Sequence, residues 1–148
     1  MSYAKFDSTY VQNYIANKIP FETAMQDVKA AFGLTLPTDP AAASAGKLLL
    51  TDYEVENLRK AYERTLEVGA ASQKEMSQQD YELYGTYIPF SMAICHTINH
   101  KSGVDHTTYA HTGAMVNVYA MGVGAEKFGG VYDNTEIYHK LAELTGVQ

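Results

Sequence analysis

Residues 51–69, TDYEVENLRKAYERTLEVG, decide the fold of this chain. They begin with Thr51 and Glu54, the spacing of a capping box, in which each side chain bonds the backbone N–H of the other residue. Apolar residues then recur at helical spacing and line one face: Val55, Leu58, Tyr62 and Leu66. The pattern predicts an amphipathic helix that runs to about Val68 and ends at Gly69.

The segments on either side of this helix also have helical periodicity. Upstream, residues 7–18 and 21–32 form two predicted helices, which Pro20 separates and Gly33 ends. Downstream, a shorter helix is predicted over residues 77–84. Another begins at Pro89, ends at Gly103 and carries these residues on one side: Phe90, Ala93, Ile94, Thr97, Ile98 and Lys101.

The pattern changes after Gly103. Residues 104–109 and 114–121 are rich in Val, Thr, Tyr and Met, and Val116, Val118 and Ala120 alternate with Asn117 and Tyr119, which predicts strands. A last helix is expected from a second capping box, Asp133-Asn-Thr-Glu136, with an apolar face made by Ile137, Leu141 and Leu144. The predicted class is therefore α/β: a helix-rich first half, then strands and a terminal helix, with too few strands for a self-sufficient sheet.

Composition excludes several classes of protein. The 148 residues are 46% hydrophobic and contain no apolar run long enough to span a membrane. The net charge is −6 and no basic patch is visible, so we expect neither nucleic acid nor a membrane as a partner. The first residues do not form a secretory signal, which predicts a cytoplasmic chain as written. The single Cys95 excludes an internal disulfide.

The helix beginning at Pro89 carries two arrangements that could have a chemical role. His96 and His100 are four residues apart and share a face, as two metal ligands would, but the glutamate of a metalloprotease motif is missing and no third ligand is evident. We interpret them as solvated histidines at the helix edge. Cys95 and His96 point about 100° apart on a helix, so a thiol–imidazole pair is not expected, and Cys95 is interpreted as a buried structural thiol.

A third cluster follows this helix. Asp105, His106 and His111 are a zinc-binding set in residue type, although such clusters also occur as structural or surface groups. The glycine-rich residues 122–130 match neither of the common phosphate-cradling patterns and are interpreted as turns.

Several motifs in order resemble the C-terminal end of alkaline phosphatases. They are His111-Thr-Gly113, Val116-Asn-Val-Tyr-Ala-Met-Gly122, Gly124-Ala-Glu126, Phe128-Gly-Gly130 and Asp133-Asn-Thr-Glu136, preceded by a helix with Phe90, Ile94, Ile98 and Asn99. The resemblance is dense over residues 89–146, whereas residues 1–88 resemble, more weakly, a helical segment of some bacterial members. We therefore expect one partial domain over residues 1–148, in which 1–88 are mostly helical and 89–148 form the C-terminal block of the alkaline phosphatase sandwich.

The resemblance implies hydrolysis of phosphate monoesters with two zinc ions and a magnesium ion, through a phosphoserine, outside the cytoplasm. His111 matches a ligand of one zinc ion, and Gly113 permits a tight backbone path beside it. His106 stands where the family usually has Trp. No catalytic residue is assigned to this chain.

The family's other catalytic motifs are missing from the sequence. The serine nucleophile segment, the remaining metal-ligand motifs and a phosphate-gripping arginine are not found in usable form, and the two arginines, Arg59 and Arg64, lie on one helix. We expect no activity from the isolated chain, and a partner in the form of a complementing N-terminal fragment or a second copy. The alternative is a non-enzymatic helical interaction module.

Overall fold

The computed structural model describes residues 1–69, 77–106, 108–109 and 112–147. These residues belong to two compact units, Met1–Ala110 and His111–Gln148. The expected single partial domain over residues 1–148 stays a prediction. Within the described ranges, no helix is both long and apolar enough to cross a membrane.

Helices build the first unit. Its α-helices are α1 (Tyr3–Phe6), α2 (Gln12–Asn17), α3 (Phe21–Phe32), α4 (Asp52–Val68), α5 (Gln78–Tyr84) and α6 (Pro89–Ser102). Two short 3₁₀ turns, Ala42–Ser44 and Gly46–Leu48, lie in the loop between α3 and α4. The periodicity and the ends predicted for α3, α4, α5 and α6 are confirmed to within a residue.

The first predicted helix differs in detail from expectation. It begins at Tyr3 rather than residue 7, and α1 and α2 are joined by a π-helical stretch, Asp7–Val11. The N–H of Gln12 bonds the carbonyl of Asp7, which is the wider spacing of a π-helix. The π-helical turn accommodates one more residue than a regular α-helical turn. The helix ends at Lys18, whose φ of 47° lies in the left-handed region.

Aromatic side chains form the centre of the core. The rings of Tyr62 and Phe90 lie 4.9 Å apart edge to face, and those of Phe6 and Phe32 lie 5.2 Å apart. Edge-to-face aromatic pairs are favoured because the positive ring edge meets the negative ring face. The buried tyrosines satisfy their hydroxyls, since Tyr14 donates to Asp27 at 2.8 Å and Tyr62 donates to the carbonyl of Ile19.

Antiparallel contact between α4 and α6 holds these rings together. Near the start of α6, the N–H of Phe90 donates to Oγ1 of Thr65 at 2.9 Å, and this hydroxyl donates to the carbonyl of Ala61. At the other end of α6, Lys101 Nζ bonds Glu54 and the carbonyl of Leu49, both at 2.8 Å. The two helices are thus joined at both ends by polar groups and between them by apolar packing.

The described residues of the two predicted strands, 104–109 and 114–121, form no strand, and Thr107 of the first lies outside the described residues. Within the described part of the chain, Thr35 and Leu49 make one isolated parallel bridge, and no strand or sheet is present. Residues 114–121 have no regular secondary structure, and their apolar side chains are exposed, as in Met115 at 83% and Tyr119 at 88%. Alternating polarity stabilises a strand only when a neighbouring strand supplies backbone hydrogen bonds and a face to cover. The α/β prediction is therefore wrong: the regular secondary structure of the described residues is helical, with no strand.

The second unit contains a 3₁₀ turn, Ala125–Phe128, and the helix α7, Glu136–Thr145, which contact each other. Gly124 has a φ of 85° and lies so close to Leu144 that a Cβ atom would clash with this side chain. An ion pair between Lys127 and Glu143 adds to the contact.

The second predicted capping box is wrong. Helix α7 begins at Glu136, and the carboxylate of Asp133 accepts hydrogen bonds from the N–H and hydroxyl of Thr135 instead of capping the first turn. Asp bonds of this kind compete with helix formation over the following residues, so the helix starts later than the motif suggests. Its apolar face is only partly covered, with Leu141 at 49% exposure.

We predict that Thr65→Val destabilises the protein by about 1–3 kcal/mol, because it leaves the buried N–H of Phe90 without its acceptor. Urea unfolding followed by circular dichroism measures the change in the free energy of unfolding. Thr145→Val is the matched control, since the exposed Thr145 makes the same kind of bond to a carbonyl four residues earlier but caps nothing. Equal effects of the two substitutions would contradict the assignment.

Candidate functional site

Helix α6 positions the histidines and the cysteine singled out from the sequence. It begins with Pro89, whose fixed φ suits the first helical position. It ends at Gly103, which has a φ of 72°, and the N–H of Val104 bonds the carbonyl of Asn99 at 2.9 Å. This closing turn is the pattern of a Schellman motif, and it directs the following residues towards the side of α6 that carries His100.

His96 and His100 lie on one face of α6, as the spacing predicts, and their ring centres are 6.4 Å apart. Asp105, on the segment after the closing turn, places Oδ2 3.7 Å from Nε2 of His100. The other carboxylate oxygen, Oδ1, accepts the N–H of His106 at 2.8 Å. The structure therefore brings a carboxylate to the histidine pair, which sequence reasoning did not expect.

Tyr109 is a residue that sequence reasoning missed. Its ring stacks on His96 with centres 5.8 Å apart, and its Oη lies 3.3 Å from Nε2 of His96. The same hydroxyl donates to the carbonyl of Leu83 at 2.7 Å, which links α5 to α6. Gly85 makes room for the ring, because a Cβ atom there would lie within 3 Å of Tyr109. A glycine that ends a short helix was the available signal for such a close approach.

The two histidines have different environments. His100 has a side chain 61% exposed, as the solvated interpretation requires. His96 is half-buried, and burial lowers its pKa, with smaller contributions from the positive charges that His100 and His106 can carry and an opposing one from Asp105. The imidazole of His96 is therefore neutral at neutral pH.

Cys95 is a half-buried free thiol. Burial raises the pKa of this thiol, and the charge of Asp7 raises it further. Asp7 in turn accepts a hydrogen bond from the hydroxyl of Ser91. The hydrogen-bond partner of His96 is Tyr109, so the imidazole is oriented away from a role as general base for Cys95. These contacts favour the interpretation of Cys95 as structural.

A cavity of about 630 Å³ borders this group within the first unit. Its walls are largely apolar and aromatic, and its lining includes Tyr3, Phe32, Tyr87, Cys95, His96 and Tyr109. A second cavity of about 470 Å³ also includes His96, together with His100 and Glu54. His96 thus borders both cavities.

His111, the zinc ligand predicted from sequence, lies outside the described residues. Its two predicted neighbours, Asp105 and His106, are both exposed. Across the described ranges, no three His, Cys, Asp or Glu side chains are already arranged to hold a metal ion. The assignment of His111 stays a prediction.

Comparison with known proteins adds the family. A model of the alkaline phosphatase family matches residues 23–147. Comparisons with curated proteins and with solved structures gave no match. The chain belongs to the alkaline phosphatase family. The resemblance of the His-Thr-Gly segment and its neighbours to alkaline phosphatases is thereby confirmed, and the match extends upstream into the helical first half.

Alkaline phosphatases are generally zinc- and magnesium-dependent. A catalytic zinc site needs three protein ligands, and a two-metal site needs ligands for each ion. The donors in the described ranges do not form such a site. Asp105 lies beside His100, but His96 is hydrogen-bonded to Tyr109, so the three side chains are not arranged around one ion. No step of a metal-dependent reaction is therefore assigned to them.

We predict that Cys95 reacts with iodoacetamide at pH 8 at least about tenfold more slowly in the folded protein than in urea, because its raised pKa and burial lower the amount of accessible thiolate. Mass spectrometry measures the rate, and since Cys95 is the only cysteine, all thiol labelling reports on it. A folded-state rate equal to that in urea would instead indicate an activated, accessible nucleophile.

Proposed function

We propose that this chain is the C-terminal part of a phosphate monoesterase and contributes His111 as one zinc ligand. The observation that carries the proposal is the alkaline phosphatase match over residues 23–147, which includes the His-Thr-Gly segment. After His111, the hydroxyl of Thr112 accepts the N–H of Ala114 at 3.3 Å, a local turn that suits a ligand-bearing loop. Gly113 has open space around its Cα, so this loop can lie close to a metal centre.

We further propose that the isolated chain does not hydrolyse phosphate monoesters. The sequence lacks the family's serine nucleophile segment and its other metal-ligand motifs. Phosphoryl transfer depends on positioned charge around the transferred group, so a single imidazole supplies too little of the required site.

The contacts of the two arginines support this proposal. Arg59 bonds Glu22 at 3.0 Å, and its guanidinium lies 4.3 Å from the centre of the Phe21 ring. Arg64 makes a two-pronged contact with Asp80, at 3.1 and 2.7 Å. Both side chains thus join helices of the first unit, and we propose that an arginine that grips phosphate is supplied by another polypeptide segment.

The family match weakens the rival interpretation of a separate helical interaction module. It begins at residue 23, within α3, and therefore includes most of the helical first unit as well as the second. A module unrelated to the phosphatase would place the start of the match near residue 89. We propose that the helices are part of the phosphatase architecture.

The natural partner in this proposal is a complementing N-terminal fragment that carries the missing motifs. The second unit exposes a series of large apolar side chains that a partner could cover: Met115, Val116, Tyr119, Met121, Val123 and Val131. Contiguous exposed apolar residues are typical of interaction surfaces. Self-association is the other way to cover them, and light scattering on the purified chain distinguishes the two.

We predict no zinc-dependent hydrolysis of p-nitrophenyl phosphate by the pure 148-residue protein, with zinc and magnesium supplied in excess. The measurement is release of p-nitrophenol over the rate of a buffer blank. Turnover that rises with zinc and disappears with a chelator would overturn the proposed inactivity.

Co-expression with an N-terminal fragment of an alkaline phosphatase that carries the nucleophile tests the positive part of the proposal. Activity of the complex should be lost on His111→Ala, because a zinc ligand is removed, but kept on His139→Ala, which changes an exposed histidine of α7. Equal activity of both variants would exclude His111 as a ligand.

A further inference from the structure

We propose that the larger cavity of the first unit binds an uncharged, planar aromatic molecule that carries a hydrogen-bond donor. The cavity measures about 630 Å³, within the range of roughly 300–1,000 Å³ that is usual for small-molecule sites. The described residues that line it all belong to the first unit. The inference is independent of the proposed phosphatase function, because it concerns other residues than those that carry that proposal.

Aromatic side chains supply much of the cavity wall. Three tyrosines form a continuous series: the ring centres of Tyr3 and Tyr87 lie 5.6 Å apart edge to face, and those of Tyr87 and Tyr109 lie 6.4 Å apart. Tyr109 extends the series to His96 by stacking, and Phe32 is a further aromatic residue of the lining. Aromatic rings pack well against other rings because positive ring edges meet negative ring faces. This wall therefore favours a flat aromatic ligand over a flexible aliphatic chain.

The lining favours a ligand without charge. Among the described residues, no Asp, Glu, Lys or Arg side chain lines the cavity. Burial lowers the pKa of His96, so this half-buried imidazole of the wall is neutral at neutral pH. A charged ligand would leave water without meeting a carboxylate, a lysine or an arginine, and burying a charge without such a partner is unfavourable.

His96 and Asn99 supply polar groups to the same lining. The hydroxyl of Tyr109 donates to the carbonyl of Leu83 at 2.7 Å, so towards His96 it accepts a hydrogen bond from Nε2–H. In the neutral imidazole the other nitrogen, Nδ1, is then a hydrogen-bond acceptor. The side-chain amide of Asn99 adds an acceptor and donors. These groups favour a ligand whose aromatic ring carries a hydroxyl or an N–H group.

The cavity has an exposed rim and a buried interior. Tyr3 is 42% exposed and His106 is also exposed, so a ligand can enter from solvent on this side. Met92 and Cys95 also line the cavity, but Met92 is 9% exposed and Cys95 is half-buried. A ligand inside the cavity therefore changes the surroundings of both sulfur-containing side chains, which makes them suitable reporters.

An NMR titration of the 148-residue protein, ¹³C-labelled at its methionine methyl groups, with 2-naphthol tests the proposal. We expect a saturable shift of the Met92 signal, because a bound ring lies close to it, and no shift for Met115 and Met121, which are exposed in the second unit. Two further probes separate the contributions of shape and polarity. Both 2-methylnaphthalene, which lacks the donor, and 1-decanol, which lacks the rings, should bind severalfold more weakly than 2-naphthol.

Substitutions on α3 and α6 locate the site. Ala31→Leu enlarges a side chain of the cavity wall and should weaken 2-naphthol binding at least about tenfold. Ala30→Leu is the matched control, since Ala30 is the neighbouring alanine of α3 and is exposed, and it should leave the affinity unchanged. His96→Phe keeps a ring but removes the acceptor, so it should abolish the preference for 2-naphthol over 2-methylnaphthalene. Circular dichroism shows whether each variant is folded.

Labelling of Cys95 tests the site without any substitution. Since Cys95 is the only cysteine and lines the cavity, saturating 2-naphthol should slow its reaction with iodoacetamide severalfold. Any of three outcomes overturns the inference: shifts at Met115 and Met121 with none at Met92 and an unchanged labelling rate, equal affinities of Ala31→Leu and Ala30→Leu, or binding of 1-decanol as tight as that of 2-naphthol. None of these measurements depends on phosphate hydrolysis.

Discussion

The hydrogen bond from Phe90 N–H to Thr65 Oγ1 is the contact on which the first unit depends. Helix α6 has no side-chain cap of its own, since Ile88 at its N-cap position carries no polar group. The first N–H groups of any helix lack partners within the helix, and burying one without an acceptor costs about 1–3 kcal/mol. Thr65, which is fully buried on α4 and 25 residues earlier in the chain, supplies the acceptor. The buried start of α6 must therefore lie next to Thr65.

The remaining packing follows from this join. With the start of α6 fixed against α4, the rings of Phe90 and Tyr62 meet edge to face, and Lys101 reaches Glu54 at the far end. Glu54 also accepts the N–H of Thr51 in the capping box. The same carboxylate therefore takes part in capping α4 and binds the end of α6. Lys101 lies on the apolar side of its helix for this reason, although lysine alone would prefer solvent.

Local patterns were sufficient to predict the helices of the first unit, but not the structure after Gly103. Both hydrogen bonds of the capping box form at Thr51, whereas Asp133 bonds Thr135 and its helix begins later. Residues 114–121 alternate in polarity, yet a strand also needs a neighbour, and no short sequence pattern specifies one.

The face shared by His96 and His100 followed from helix geometry. The approach of Asp105 and Tyr109 depended on the turn at Gly103 and on the space at Gly85, which only the three-dimensional structure reveals.

The contacts of Arg64 are those of an arginine that stabilises the fold. The donors of Arg64 are directed to Asp80 and Glu67, and Asp80 is buried at 8% exposure with Ser77 as a further partner. Releasing Arg64 to a phosphate would take from Asp80 the ion-pair partner that it has among the described residues, which is unfavourable for a carboxylate with little exposure. The free energy of folding therefore favours keeping Arg64 in these contacts over releasing it to a phosphate.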